Sequence, residues 1–128
     1  MRDLKKDTFK NWMKESPQST HIGEVAVFYL PVNKIDQKIR SKIHSFFVKN
    51  YYAYTHEISK IQGFWSKGSK TVKDKHERYE VSFKGKDNLK KFVEFMSEIC
   101  YIIQEESIYL TIGGDSYLIS PKEVKKQC

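Results

Sequence analysis

Gly85-Lys86-Asp87-Asn88-Leu89-Lys90-Lys91-Phe92-Val93-Glu94-Phe95-Met96-Ser97-Glu98-Ile99-Cys100-Tyr101-Ile102-Ile103 is the stretch on which the fold of this chain turns. Leu89, Phe92, Val93, Met96, Ile99, Cys100 and Ile103 recur with a period of about 3.6 residues, which makes residues 88–104 a helix with one apolar stripe. Asp87 is placed to cap it, since its carboxylate can accept from the free N–H groups of the first turn. A helix with one apolar face needs a second layer to bury it, and the flanking sequence supplies strands.

Immediately upstream, residues 73–83 alternate Tyr79, Val81 and Phe83 with Arg78, Glu80 and Ser82, the period-2 pattern of a half-buried strand. Residues 58–65 read as its hairpin partner across a lysine-rich loop. Downstream, Ser107 to Ile112 is a strand, Gly113-Gly114-Asp115-Ser116 turns, and Tyr117 to Ile119 returns. Further upstream, Ile35, Ile39, Ile43, Phe46 and Phe47 mark a helix over residues 33–50, with Lys34, Lys38, Lys42 and Lys49 on its other side. Before it stands Glu24-Val25-Ala26-Val27-Phe28-Tyr29-Leu30, a nearly continuous apolar run typical of a central strand.

The element order is β-α-β-β-α-β plus a short strand. This is the split βαβ, ferredoxin-like arrangement of the α+β class, with two helices on one face of an antiparallel sheet. Residues 1–20 are expected to be an N-terminal helical appendage with Leu4, Phe9, Trp12 and Met13 on one side, residues 21–121 the α+β domain, and residues 122–128 a lysine-rich tail. Either Val25, Val27 and Tyr29 or Ala26, Phe28 and Leu30 must face away from the helices, which suggests a homodimer through sheets or edge strands, the alternative being that the N-terminal helix covers the patch.

At 128 residues the chain has the size of one domain. It has neither the apolar run of a membrane span nor an N-terminal signal pattern, so a cytoplasmic protein with reduced Cys100 and Cys128 is expected. His21, His44, His56 and His76 are scattered, with no spacing that would hold a metal, and no cofactor motif occurs. Gly113-Gly114-Asp115 resembles the Gly-Gly-Asp hairpin of diguanylate cyclases over those three residues. The cyclase site also needs an acid on the first core strand, and Val25 to Leu30 holds none, so a hairpin turn accounts for the motif.

Charge is the strongest functional hint. The net charge is +7, and residues 31–50 and 60–76 each carry five basic groups against one acid. Phe64 and Trp65 adjoin the second cluster, and at least one of them should point into the core. Lysines neutralise phosphates and exposed rings stack on bases, so the reading is a non-enzymatic module for nucleic acid or another phosphate-rich ligand. Its contacts would be Lys34, Lys38, Lys42, Lys67, Lys70, Lys73 and Lys75, with Tyr54 or Trp65 as the stacking ring. The alternative is an enzyme or small-ligand binder with a pocket between sheet and helices, drawing on His76, Glu80 and Glu105. A third is an accessory or inhibitory protein from a mobile element that binds another protein.

Overall fold

The computed structural model describes residues 4–122. Its elements run α1 (Leu4–Glu15), β1 (Glu24–Pro31), a single 3-10 turn (Val32–Lys34), α2 (Gln37–Tyr51), β2 (Tyr54–Lys67), β3 (Lys70–Phe83), α3 (Lys86–Ile102), β4 (Ile108–Ile112) and β5 (Asp115–Ile119). The five strands lie in the order β2-β3-β1-β4-β5, all neighbours antiparallel. This is the ferredoxin-like order expected, with β5 added at one edge. The proposed 122–128 tail falls outside the described residues from position 123 on, as do Leu4 and Phe9 as side chains of the amphipathic stripe; Trp12 and Met13 are exposed.

One core fills the space between the sheet and the helices α2 and α3. The pleat sends Ala26, Phe28 and Leu30 of β1, Tyr79, Val81 and Phe83 of β3, and Ile108 and Leu110 of β4 to this side. The helices answer with Ile39, Ile43, Phe47 and Tyr51 from α2 and Phe92, Phe95, Met96 and Ile99 from α3. Phe46 and Phe95 stack across the helix pair at 3.9 Å between ring centres. Val25, Val27 and Tyr29 face the other way, beside Tyr109, which stacks on Tyr29.

Several boundaries differ from the sequence reading for local reasons. Asp36 caps α2 by accepting from the Ile39 N–H, so the helix begins after the Val32–Lys34 turn. Gly85 occupies the cap of α3, and Asp87 lies inside the first turn, where its charge meets the helix dipole. The hairpin β2–β3 is longer than expected at both ends, closing in a Gly68-Ser69 turn with Gly68 at φ +64°. β1 pairs with β3 only as far as Pro31 opposite His76, whereas β2 and β3 continue to Lys67 opposite Lys70. The last part of the hairpin is therefore a two-stranded arm running past the sheet.

That overrun corrects one expectation. Neither face of the arm has a core layer, so Phe64 and Trp65 are both exposed, at 63% and 42%. Trp65 does make an edge contact with His76, whose ring lies across Gly63 so closely that a Cβ there would come within 2.7 Å of it. Glycine at position 63 is what lets the imidazole approach the arm this closely.

Candidate functional site

The pleat also carries one polar side chain to the core side. Glu77 shares a face with Tyr79, Val81 and Phe83 and is 4% exposed. A carboxylate there needs partners, because an uncompensated buried charge costs several kcal/mol. Arg40 of α2 supplies two hydrogen bonds, from Nε to Oε1 at 3.2 Å and from Nη2 to Oε2 at 2.6 Å. His56 of β2 supplies a third contact, Nε2 to Oε1 at 2.5 Å. Burial pushes the Glu77 carboxyl up, but the hydrogen bonds and charges of Arg40 and His56 outweigh it and hold the group below the usual carboxylate range. Glu77 is ionised at neutral pH, and the Arg40 guanidinium is raised in turn, chiefly by its bond to Glu77.

These three residues line a cleft of about 830 Å³ between α2 and the β2–β3 hairpin. One wall is a stripe on α2, Gln37, Arg40, Ser41, His44 and Ser45, at helical spacing just beside the apolar stripe that faces the core. Tyr54 and His56 of β2 and Glu77 of β3 form the opposite wall, with Val32 at one end. Across the mouth, His44 Nδ1 and the Tyr54 hydroxyl are hydrogen-bonded at 2.9 Å. Under the wall runs a ladder of rings from three neighbouring strands. Phe28 stacks on Tyr79 at 4.9 Å and Tyr79 on His56 at 4.3 Å, each pair within 4° of parallel. Phe28, Tyr79 and His56 are cross-strand partners in the register, so the ladder follows directly from pairing.

Chemically, the cleft offers a carboxylate already paired with a guanidinium, an arginine whose Nη1 makes no hydrogen bond among the described residues, and aromatic and hydroxyl groups at the mouth. This suits a small zwitterionic or cationic ligand with a flat ring system. Among the described residues no group of three or more His, Cys, Asp or Glu could hold a metal ion. No helix among them is long and apolar enough to cross a membrane.

The residues expected from sequence are not brought together. His76 and Glu80 point to the far side of the sheet from Glu77, by strand alternation, and Glu80 is held there by Arg78 at 2.8 Å. Glu105 lies in the α3–β4 connection, paired with Lys34 at 3.1 Å. The lysines fall in two separate places, α2 with the turn before it and the hairpin arm. Lys34 also donates to the Gln104 carbonyl, and Lys42 faces a groove with Lys91, Glu94 and Glu98. Lys38 is exposed on α2, and Lys67, Lys70, Lys73 and Lys75 are distributed along the arm. Tyr54 is turned to His44. Glu94 and Glu98 thus interleave with basic groups in this groove.

Arg40, His44, His56 and Glu77 went unselected, although two signals pointed to all of them but His56. The period-2 core pattern of β3 extends back from Tyr79 to Glu77, and Gln37/Arg40/Ser41/His44/Ser45 is a lysine-free polar stripe on an otherwise lysine-rich helix.

The sequence matches no family model and no curated protein. The fold is similar to two solved structures of a phage SAM lyase. In the apo state the TM-score is 0.54 at 12% identity, over 81% of this chain and 94% of that one. In complex with S-methyl-5'-thioadenosine it is 0.55 at 14% identity, over 86% of this chain and 100% of that one. At such identity the likeness is one of fold. It nevertheless overturns the nucleic-acid and phosphate-rich-ligand reading: the protein that shares this fold over 86% of the present chain is a phage SAM lyase in complex with S-methyl-5'-thioadenosine, and of the lysines invoked Lys34 is paired with Glu105 and Lys42 faces Glu94 and Glu98. The homodimer is withdrawn with it: Val25, Val27 and Tyr29 do face away from the helices, but Val27 and Tyr29 are half-buried, Tyr29 against Tyr109 of the same chain, so the apolar patch is smaller than the strand alone suggested.

Proposed function

We propose that this chain is a small-molecule enzyme whose cleft between α2 and the β2–β3 hairpin takes an adenosine-bearing sulfonium amino acid, S-adenosylmethionine, and releases S-methyl-5'-thioadenosine from it. The observation that carries the reading is the buried, ionised Glu77, clamped by Arg40 and His56 at the wall of a cleft in a fold shared over 86% of the chain with a lyase of that substrate. The substrate is a cation at sulfur and a zwitterion at its amino-acid end, and a fixed carboxylate next to a guanidinium complements both.

The reaction needs neither water nor a redox partner. The bond between sulfur and the γ-carbon breaks, both electrons pass to sulfur, and the sulfonium becomes a neutral thioether. The carbon fragment is completed in one of two balanced ways. Its own carboxylate oxygen bonds to the γ-carbon and closes a lactone, or a proton leaves the β-carbon to a base and a double bond forms. Glu77 favours the first, since a carboxylate held below its usual range is a weak base at neutral pH. The residues of the cleft then act by positioning: they fold the amino-acid tail so that its carboxylate meets the γ-carbon opposite the departing sulfur.

The test is incubation of the purified protein with S-adenosylmethionine and mass analysis of the products. Methylthioadenosine together with the lactone is expected, and Glu77→Gln should slow its release by at least about a hundredfold, the usual scale for loss of a charged positioning contact. Absence of methylthioadenosine above the spontaneous rate, with no calorimetric binding of methylthioadenosine itself, would sink the proposal.

A further inference from the structure

The hydrogen bond across the mouth of the cleft has a direction, and the direction decides what the mouth presents. The Tyr54 hydroxyl and His44 Nδ1 are 2.9 Å apart, and both residues line the cleft. A phenol is the better proton donor and a bare imidazole nitrogen the better acceptor, so the bond runs from the Tyr54 O–H to Nδ1. Burial raises the Tyr54 phenol, which keeps the proton on its oxygen. With Nδ1 accepting, a neutral imidazole carries its own hydrogen on Nε2. The pair therefore presents one donor, His44 Nε2–H, beside one acceptor, the Tyr54 oxygen, and among the described residues neither has another hydrogen-bond partner. The Tyr54 ring is held in place, edge-on to Phe47 at 5.4 Å and to His44 at 5.7 Å and nearly parallel to Tyr79 at 6.3 Å. Its oxygen is set before any ligand arrives.

Resting on the functional reading above, we infer that His44 and Tyr54 select the base of the ligand, the Tyr54 oxygen accepting from the exocyclic amino group of adenine and His44 Nε2–H donating to the ring nitrogen beside it. The cleft is built in two levels that match the two ends of such a ligand. Arg40 and His44 stand one helical turn apart on α2, about 6 Å, and His56 and Tyr54 stand two residues apart on β2, about 6–7 Å. One level holds the ion pair of Arg40 and Glu77 with His56, which suits the charged amino-acid tail. The other holds His44 and Tyr54 and suits a neutral purine. Adenine carries its amino group next to an acceptor nitrogen on either side, N1 or N7, so both of its edges fit a donor beside an acceptor. A purine with a 6-oxo group sets an acceptor oxygen against the Tyr54 oxygen, whose proton is already given to His44. The packed ring leaves no room to relieve that mismatch, and a site built around a polar partner rejects the analogue that lacks it.

Methylthioadenosine and its 6-oxo counterpart, methylthioinosine, separate this inference from its premise, since they share ribose and thioether and differ in the base. Calorimetric titration of wild type and Tyr54→Phe with each gives two ratios of affinity. Wild type should bind the adenine compound at least about tenfold more tightly, the scale of one mismatched polar contact in a desolvated site. Tyr54→Phe keeps the ring against Phe47 and Tyr79 and removes the acceptor, and its ratio should fall below about threefold. If a thermal melt shows that this variant does not fold, His44→Leu at the exposed α2 position carries the same comparison, because it frees the phenol to donate to either purine. A wild-type ratio under tenfold, or a preference for methylthioinosine, would overturn the inference while methylthioadenosine binding left the functional reading intact. A variant that kept a ratio above threefold would overturn it too, by showing that the base is selected elsewhere. Failure of wild type to bind either compound would instead overturn the functional reading, and this inference with it.

Discussion

Replacing Arg40 by methionine keeps the aliphatic stem against α2 and removes two hydrogen bonds from a carboxylate that is 5% exposed. His56 is then its remaining partner. Stranding a buried charge in this way costs about 3–5 kcal/mol, and because the Arg40 side chain is 29% exposed, water can reach the pair and the lower figure applies, about 3 kcal/mol. Against a total of about 5–15 kcal/mol for a domain this is a large fraction. With a urea slope of about 1–3 kcal/mol per molar, the midpoint at pH 7 should fall by about 1–3 M. The double variant Arg40→Met with Glu77→Leu removes both charges and should recover most of the loss.

The pH dependence gives the sign. In the wild type the folded-state carboxyl of Glu77 lies below its unfolded value, so its pairing contributes stability above about pH 4.3 and loses it as pH falls through the folded value. In Arg40→Met the upward push of burial is opposed by His56 alone, and the carboxyl should move above the unfolded value. Its contribution then reverses, present in acid and lost as pH rises. The two stability curves should converge below about pH 4 and separate toward neutrality. A single variant within about 0.5 kcal/mol of wild type at pH 7, the scale of an ordinary surface change, or curves that stay parallel through the acid range, would refute this account of the Arg40–Glu77–His56 cluster.

Gly23 holds φ +121°, and a Cβ there would stand 2.0 Å from the Phe83 carbonyl oxygen, so Gly23→Ala should lower stability by about 2 kcal/mol or more in a thermal melt. A loss under about 0.5 kcal/mol would show that the entry to β1 can shift freely. The Cys100 thiol faces the Glu105 and Ile119 carbonyls at 3.3 and 3.6 Å, and burial, followed by the charge of Glu105, pushes it up to about 11. In a Cys128→Ser background it should react with a thiol reagent at pH 8 at least about a hundredfold more slowly in native protein than in urea, and rates within tenfold of each other would contradict its inert setting.

The elements with a strong period were legible from sequence. The α3 stripe, the alternation of β3 and the apolar β1 are statements about burial on one face, and burial is what orders the sheet. Boundaries were less so, because Gly85 rather than Asp87 caps α3 and the arm's length depends on where β1 stops, a long-range fact. The site was misjudged for a related reason. Composition counts lysines wherever they lie, but a site depends on which side of a strand a residue takes. Glu77 and His76 are adjacent in sequence and opposite in space, so the choice of His76 and Glu80 missed the cleft by one residue of register. Tyr51, Tyr52 and Tyr54 likewise divide: Tyr51 donates to the Asn88 carbonyl in the core, Tyr52 ends α2 at φ +70° and is exposed, and Tyr54 joins the cleft.

The central position of β1 has a consequence for synthesis. Its partners are β3 and β4, and Ala26 meets Ile112 only after 86 further residues have been added. At about 5–20 residues per second, the most apolar strand of the chain leaves the ribosome about 4–17 s before its second neighbour exists. The β2–β3 hairpin, by contrast, closes on itself as soon as its two arms are made. A chain ordered this way assembles from its middle outward, with Val25 to Leu30 as the segment that a chaperone would meet first.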